Sequence, residues 1–183
     1  WTATDACGNS STCAQTITID DSTPPSIVCP TDVTIECDES TLPANTGSAT
    51  ASDNCDAAPV VTYNDVTTAG NCPQAYTISR TWLATDACGN SSNCLQTIII
   101  EDTTPPDLTC VPNVTIECDE STDPANTGQA SATDNCDPVA EVTFSDAILP
   151  GTCPQAYTIT RTWTAQDDCG NLSNCTQVIE VVD

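Results

Sequence analysis

Cysteine is the residue type with the most chemistry to offer here, and the chain has fourteen of them. A thiol can attack an electrophile, bind a soft metal, or be spent in a disulfide, and each use needs different companions. A nucleophilic thiol needs a neighbouring base, yet the chain has no His, and its two cationic side chains are Arg80 and Arg161. Zinc needs ligand pairs such as Cys-x-x-Cys or added His, and neither occurs. An even cysteine count at fixed spacings reads as a disulfide framework built in an oxidising compartment. The spacing is strict. Cys7, Cys88 and Cys169 are each 81 residues apart, as are Cys13, Cys94 and Cys175. Cys29 maps on Cys110, Cys37 on Cys118, Cys55 on Cys136, and Cys72 on Cys153 by the same step.

The elements that position these cysteines repeat with them. "WTATDACGNSSTC" (Trp1–Cys13), "WLATDACGNSSNC" (Trp82–Cys94) and "WTAQDDCGNLSNC" (Trp163–Cys175) are copies of one stretch. An 81-residue period is the size of a small domain, so it predicts beads on a string rather than a solenoid. Paired prolines in "IDDSTPPSIVC" and "IEDTTPPDLTC" stiffen the chain and remove backbone donors, which marks junctions. Complete domains are expected at 23–102 and 103–183. Residues 1–22 read as the C-terminal hairpin of a preceding, truncated repeat, so the chain is expected to be a window on a longer tandem array.

Composition bounds the partners. Twenty-six acidic residues against two arginines give a net charge of −24, which excludes ordinary nucleic-acid and anionic-membrane partners. No apolar run reaches membrane-spanning length, so no direct membrane insertion is expected. Aromatics are 4% of the residues, so each domain has a thin core that needs bridges worth about 2–4 kcal/mol apiece.

Period-two alternation rich in Thr, Val and Ile predicts an all-β chain. Comparing the copies assigns faces. Ile98 and Ile100 match Ile17 and Ile19, and Ile179 and Val181, while their neighbours vary, so these point inward. The same test sends Val33, Ile35, Val61, Tyr63, Val114, Ile116, Val142 and Phe144 to the core. "AYTISRTWLATDAC" places Tyr76, Ile78, Arg80, Trp82 and Ala84 on one face, and "CGNSSNC" closes a hairpin through Gly89-Asn90. A buried guanidinium is costly alone, so Arg80 and Arg161 must meet a carboxylate or an aromatic face. Short strands at this spacing imply tandem immunoglobulin-like β-sandwich domains.

"CPTDVTIEC", "ATDNCD" and "RTWLATDACGNSSNCLQTIIIEDTTPP" together resemble the HYR (hyalin-repeat) domain and its cysteine-rich relatives in secreted surface proteins of Bacteroidota. The likeness spans the chain and departs from the simplest pattern by four extra cysteines per repeat. The resemblance implies an immunoglobulin-like sandwich serving as adhesion or spacer module, with no catalytic residues. In such sandwiches the early strand lies parallel to the last one. That topology pairs Cys29 with Cys94, Cys37 with Cys72 and Cys55 with Cys88, and likewise Cys110–Cys175, Cys118–Cys153 and Cys136–Cys169. A hairpin clip, Cys88–Cys94, is the rival pairing. Cys7 and Cys13 belong to the same framework.

Two functional classes follow. One is a disulfide-stapled spacer in an extracellular cell-surface stalk, fibre or adhesin array, whose partners are neighbouring repeats or other copies in a filament. The other is a glycan- or surface-binding adhesin module. The copies differ by substitution and not by loop insertion, which favours the first. An enzyme is not expected. Asn9, Asn90, Asn113, Asn171 and Asn174 lie in glycosylation sequons, while Ser22 and Thr103 sit in "DST" and "DTT", which resemble the Bacteroidota O-glycosylation motif. Covalent glycans are therefore expected partners. Finally, Asp20, Asp21, Asp53 and Asp86, and in the next copy Glu101, Asp102, Asp134 and Asp167, are expected to gather at the inter-domain junctions as oxygen ligands for Ca2+.

Overall fold

The computed structural model describes residues 1–183. The first complete repeat begins with β3 (Ser26–Val28), β4 (Val33–Glu36), the single-turn helix α1 (Pro43–Thr46) and β5 (Thr50–Ser52). Three long strands follow: β6 (Val60–Ala69), β7 (Tyr76–Thr85) and β8 (Ser91–Glu101). The second repeat copies the order as β9 (Asp107–Thr109), β10 (Val114–Glu117), α2 (Pro124–Thr127), β11 (Ser131–Thr133), β12 (Glu141–Pro150), β13 (Tyr157–Gln166) and β14 (Leu172–Val182). Ahead of both, β1 (Thr2–Thr4) and β2 (Ser10–Thr12) pair as an antiparallel hairpin.

Each repeat is an immunoglobulin-like sandwich of a four-stranded and a two-stranded sheet, ordered β4-β8-β7-β6 with β3-β5, and β10-β14-β13-β12 with β9-β11. The early strand lies parallel to the last one, with Val33 opposite Ile98 and Glu36 opposite Glu101. β7 and β8 form the long hairpin, and Asp86 to Asn90 make its turn around Gly89 at φ +91°. Cys29, just past β3, bonds to Cys94 in β8 and so ties the small sheet to the large one; Cys110–Cys175 does the same in the second repeat.

The apolar core is as thin as the composition implies. Ile35, Ile78, Ile98 and Ile100 form it in one repeat, and Ile116, Ile159, Ile179 and Val181 in the other. A polar core adjoins it. The Arg80 guanidinium is 1% exposed, donates to both oxygens of Asp65 at 2.8 Å, to Thr46 Oγ1 at 2.9 Å and to the Thr41 carbonyl at 2.8 Å, and stacks 4.4 Å over the Tyr63 ring. Arg161 repeats this with Asp146, Thr127, Thr122 and Phe144. Both expected contacts of the arginine, carboxylate and ring, are therefore made at once. Hydrogen bonding to Asp65 holds the Arg80 pKa above its ordinary value, against the opposing effect of burial. Gln96, fully buried, accepts from Trp82 Nε1 at 3.1 Å and donates to the carbonyls of Thr31 and Thr46. These bonds fasten α1 to the sheet where apolar surface is too scarce to do so.

Four inward assignments need correction. Tyr63 and Phe144 are 42% and 45% exposed, because β6 and β12 are edge strands and the rings lie over the arginine at the rim. Ile17 and Ile19 are 75% and 93% exposed. Their counterparts Ile98 and Ile100 are covered by β4 and the start of β7, and residues 1–22 contain no equivalent of either.

Candidate functional site at the joint between repeats

The joint is where chemistry-bearing residues converge, and its cysteines are not paired as expected. Cys37 bonds to Cys136 and Cys72 to Cys169, both across the joint. The expected Cys37–Cys72, Cys55–Cys88, Cys118–Cys153 and Cys136–Cys169 bridges are absent, as is the rival Cys88–Cys94. Cys7, Cys13, Cys55, Cys88, Cys118 and Cys153 are free thiols.

Sheet order gives the reason. β4 and β7 flank β8, and Cys37 and Cys72 follow the end of one and precede the start of the other. They sit on opposite sides of the strand that leaves for the next repeat. Two strand spacings separate such positions by about 9–10 Å, beyond the roughly 7 Å limit for a disulfide. Across the joint Cys136 and Cys169 straddle the incoming linker, and each lies opposite one partner, with Cα–Cα distances of 6.0 and 5.1 Å.

The linker is gripped between them. The Asn171 amide donates to the Asp102 carbonyl at 3.0 Å and to Asp167 at 2.8 Å, and Asn90 holds Asp21 and Asp86 in the same way. From the other side Glu36 accepts from the Thr103 backbone N–H at 3.2 Å and from the Thr103 hydroxyl.

This grip brings acidic side chains together. The carboxylates of Asp21, Asp53 and Asp86 have oxygens within 4.8 Å of one another, and so do Asp102 and Asp134, with the bridged Cys136 sulfur beside them. Asp134 turns one oxygen to the backbone N–H groups of Cys136 and Asp137 and leaves the other buried without a partner. Asp53 does the same with Cys55 and Asp56, and those backbone donors lower its pKa. Asp102 is 7% exposed; the Thr104 backbone N–H lies near its carboxylate, but neither oxygen has a fully formed hydrogen bond. Burial, then the charges of Asp134 and Asp167, raise its pKa above the ordinary carboxylate value. Asp167 itself is 5% exposed. Asp20 and Glu101, also expected here, stand exposed outside both clusters.

Two of the free thiols, Cys55 and Cys118, are poor nucleophiles. Desolvation first, then the charges of Asp21 and Asp53, raise the Cys55 pKa; desolvation and Asp183 do the same to Cys118. Less thiolate means less reactivity.

The glycosylation candidates divide by geometry. The side-chain amides of Asn90 and Asn171 are occupied by the linker grip. Asn9 donates its amide to Asp5. Asn113 and Asn174 are exposed and use their amide oxygens as acceptors. Ser22 is exposed, and Thr103 is exposed with its hydroxyl on Glu36.

Sequence reasoning did not single out Asp65, Gln96, Thr46 or Glu36. A signal existed for the first three: Asp146, Gln177 and Thr127 stand 81 residues on, at interior positions where a polar side chain is kept.

No family model and no curated protein matches the chain. Solved structures do. The chain is similar to Drosophila N-cadherin EC1-4, with 12% identity over 88% of this chain and 50% of that one, at a TM-score of 0.38. It is similar to the human desmocollin-1 ectodomain, with 12% identity over 98% of this chain and 46% of that one, at 0.35. Tandem Ig repeats of Dlar share 15% identity over 87% of this chain and 98% of theirs, at 0.27. The chain spans about half the length of the two cadherin-type structures.

Proposed function

We propose that the chain is a structural segment of an extracellular stalk or fibre, a non-catalytic spacer of HYR-like repeats in which consecutive domains are joined covalently twice besides the backbone. The observation that carries this reading is the pair of disulfides that crosses the joint, Cys37–Cys136 and Cys72–Cys169. A binding module needs only its own domain to be stable. Bridges placed between domains instead fix the angle of one bead on the next and share any load along the array. Four disulfides, two of them cross-joint, also support an oxidising, extracellular setting. No helix is long and apolar enough to cross a membrane.

The free thiols support continuation of the same pattern. Cys55 and Cys88 stand 81 residues before the paired Cys136 and Cys169, and Cys118 and Cys153 stand 81 residues after the paired Cys37 and Cys72. Each pole thus holds one half of a joint, which a further repeat of this kind completes. Closing each bridge oxidises two thiols, and the two electrons and two protons pass to a small-molecule disulfide by thiol–disulfide exchange.

Small-angle scattering on the native chain and on a variant with Cys37, Cys136, Cys72 and Cys169 all changed to Ser tests the spacer role. Cys29–Cys94 and Cys110–Cys175 stay intact in that variant. The native chain should scatter as one stiff particle, and the variant should show a wider spread of inter-domain distances. Identical profiles would remove the role of the bridges. Reproducible binding on a glycan array would move the assignment to an adhesin module.

A further inference from the structure

We infer that the joint is a calcium site, with Asp102, Asp134 and Asp167 as its carboxylate ligands and Asp21, Asp53 and Asp86 as the same site one repeat earlier. The inference is independent of the spacer reading, since binding of the ion stands or falls whatever the array is for.

The decisive group is Asp102. It is 7% exposed, neither oxygen has a fully formed hydrogen bond although the Thr104 backbone N–H lies near, and its nearest charged neighbours are other carboxylates. A buried carboxylate in that position is strongly unfavourable unless something positive meets it. Nothing in the chain does. There is no Lys or His, and the two arginines are committed to Asp65 and Asp146 inside their own domains. A cation from solution is the remaining source of charge.

The donors select its kind. Asp134 presents a buried, unpartnered oxygen, and its other oxygen is fixed by two backbone N–H groups. In the first copy Asp53 does likewise, and its oxygen lies within 4.8 Å of oxygens from Asp21 and Asp86. The sulfur near the second cluster, on Cys136, is spent in the bridge to Cys37 and cannot serve as a thiolate. Carboxylate oxygens with no thiolate or imidazole among the donors favour a hard cation of flexible coordination, which is Ca2+ rather than zinc or copper. The three ligands come from the linker, the loop after β11 (or β5) and the β13–β14 (or β7–β8) turn, so the ion would bind only when the linker is seated.

Calorimetric titration of the chelator-treated native chain with CaCl2 should find two sites per chain, with dissociation constants in the 10⁻⁴–10⁻³ M range of extracellular modules as an order of magnitude. Asp102→Asn should remove one site, or weaken it at least about tenfold, and leave the other unchanged. Its melting temperature without calcium should stay the same or rise, since like-charge repulsion is relieved; this separates lost binding from misfolding. Glu101→Gln, an exposed neighbour outside the cluster, should bind as the native chain does. Absence of any heat up to about 10 mM CaCl2, well above that range, or an Asp102→Asn chain that still binds two ions, would overturn the assignment.

Discussion

Pulling the chain by its two ends measures the disulfide framework directly. In the native chain the shortest covalent route runs from Trp1 to Cys29, across to Cys94, along the linker to Cys110, across to Cys175 and on to Asp183. That route is roughly 50 residue steps, which at about 3.5 Å each limits the stretched chain to ~180 Å plus two short bridge spans. Fully reduced, all of the roughly 180 steps are free and the limit is ~640 Å. Changing Cys29 and Cys110 to Ser exposes the contribution of the joint. The shortest route then passes from Trp1 to Cys37, across to Cys136 and on to Asp183, roughly 80 steps or ~290 Å. Had the cysteines paired within repeats as Cys37–Cys72 and Cys55–Cys88, with their counterparts, the same variant would stretch over roughly 110 steps or ~390 Å. Single-molecule force spectroscopy with handles at both termini resolves these lengths. A native contour far above ~200 Å would refute Cys29–Cys94 or Cys110–Cys175, and a double variant that extends to ~390 Å or more would refute the cross-joint bridges.

Four further outcomes are expected. Asp65→Asn leaves the Arg80 guanidinium buried with a neutral partner. It should cost the first repeat about 3 kcal/mol, the low end for such a loss because Asp65 is itself 30% exposed; urea unfolding checks this, and adding Arg80→Met should restore much of the loss. Gly128 holds φ +97° and ψ 154°, and a Cβ there would lie 2.5 Å from Val111 Cγ1, so Gly128→Ala should destabilise the second repeat. The loss should be about 2 kcal/mol, or roughly 10 °C in a calorimetric melt. Asn171→Ala releases the Asp102 carbonyl, and hydrogen exchange at Thr103 and Thr104 should quicken while the β13 amides stay protected. Extending the chain at its C-terminus by one further repeat of the same kind adds six cysteines, yet a thiol titration under oxidising conditions should again count six free thiols, with Cys118 and Cys153 no longer among them; a rise would mean that joints do not propagate.

The sequence by itself determined everything that depends on local pattern or on the 81-residue step. Alternation placed Ile35, Ile78, Ile98 and Ile100 on one face, and they form the core. The parallel pairing of β4 with β8 followed from the sandwich class, and with it Cys29–Cys94. The cost of a bare guanidinium required partners for Arg80, although it could not say that Asp65, fifteen residues away on the neighbouring edge strand, would be one. Tyr63 and Phe144 were misjudged because alternation assigns a face of the sheet and says nothing of whether the strand is at its edge. The bridges were decided only in three dimensions. The 81-residue step repeats every cysteine in the next domain, so Cys37 faces one candidate in its own domain, Cys72, and another, Cys136, in the next. Choosing between them needs the distance across β8 and the way one domain seats on another, and neither is written in the spacing of a single chain. The same seating turns Asp102 from a linker residue into a buried carboxylate facing Asp134 and Asp167, because burial at a joint is a property of two domains together and of neither alone.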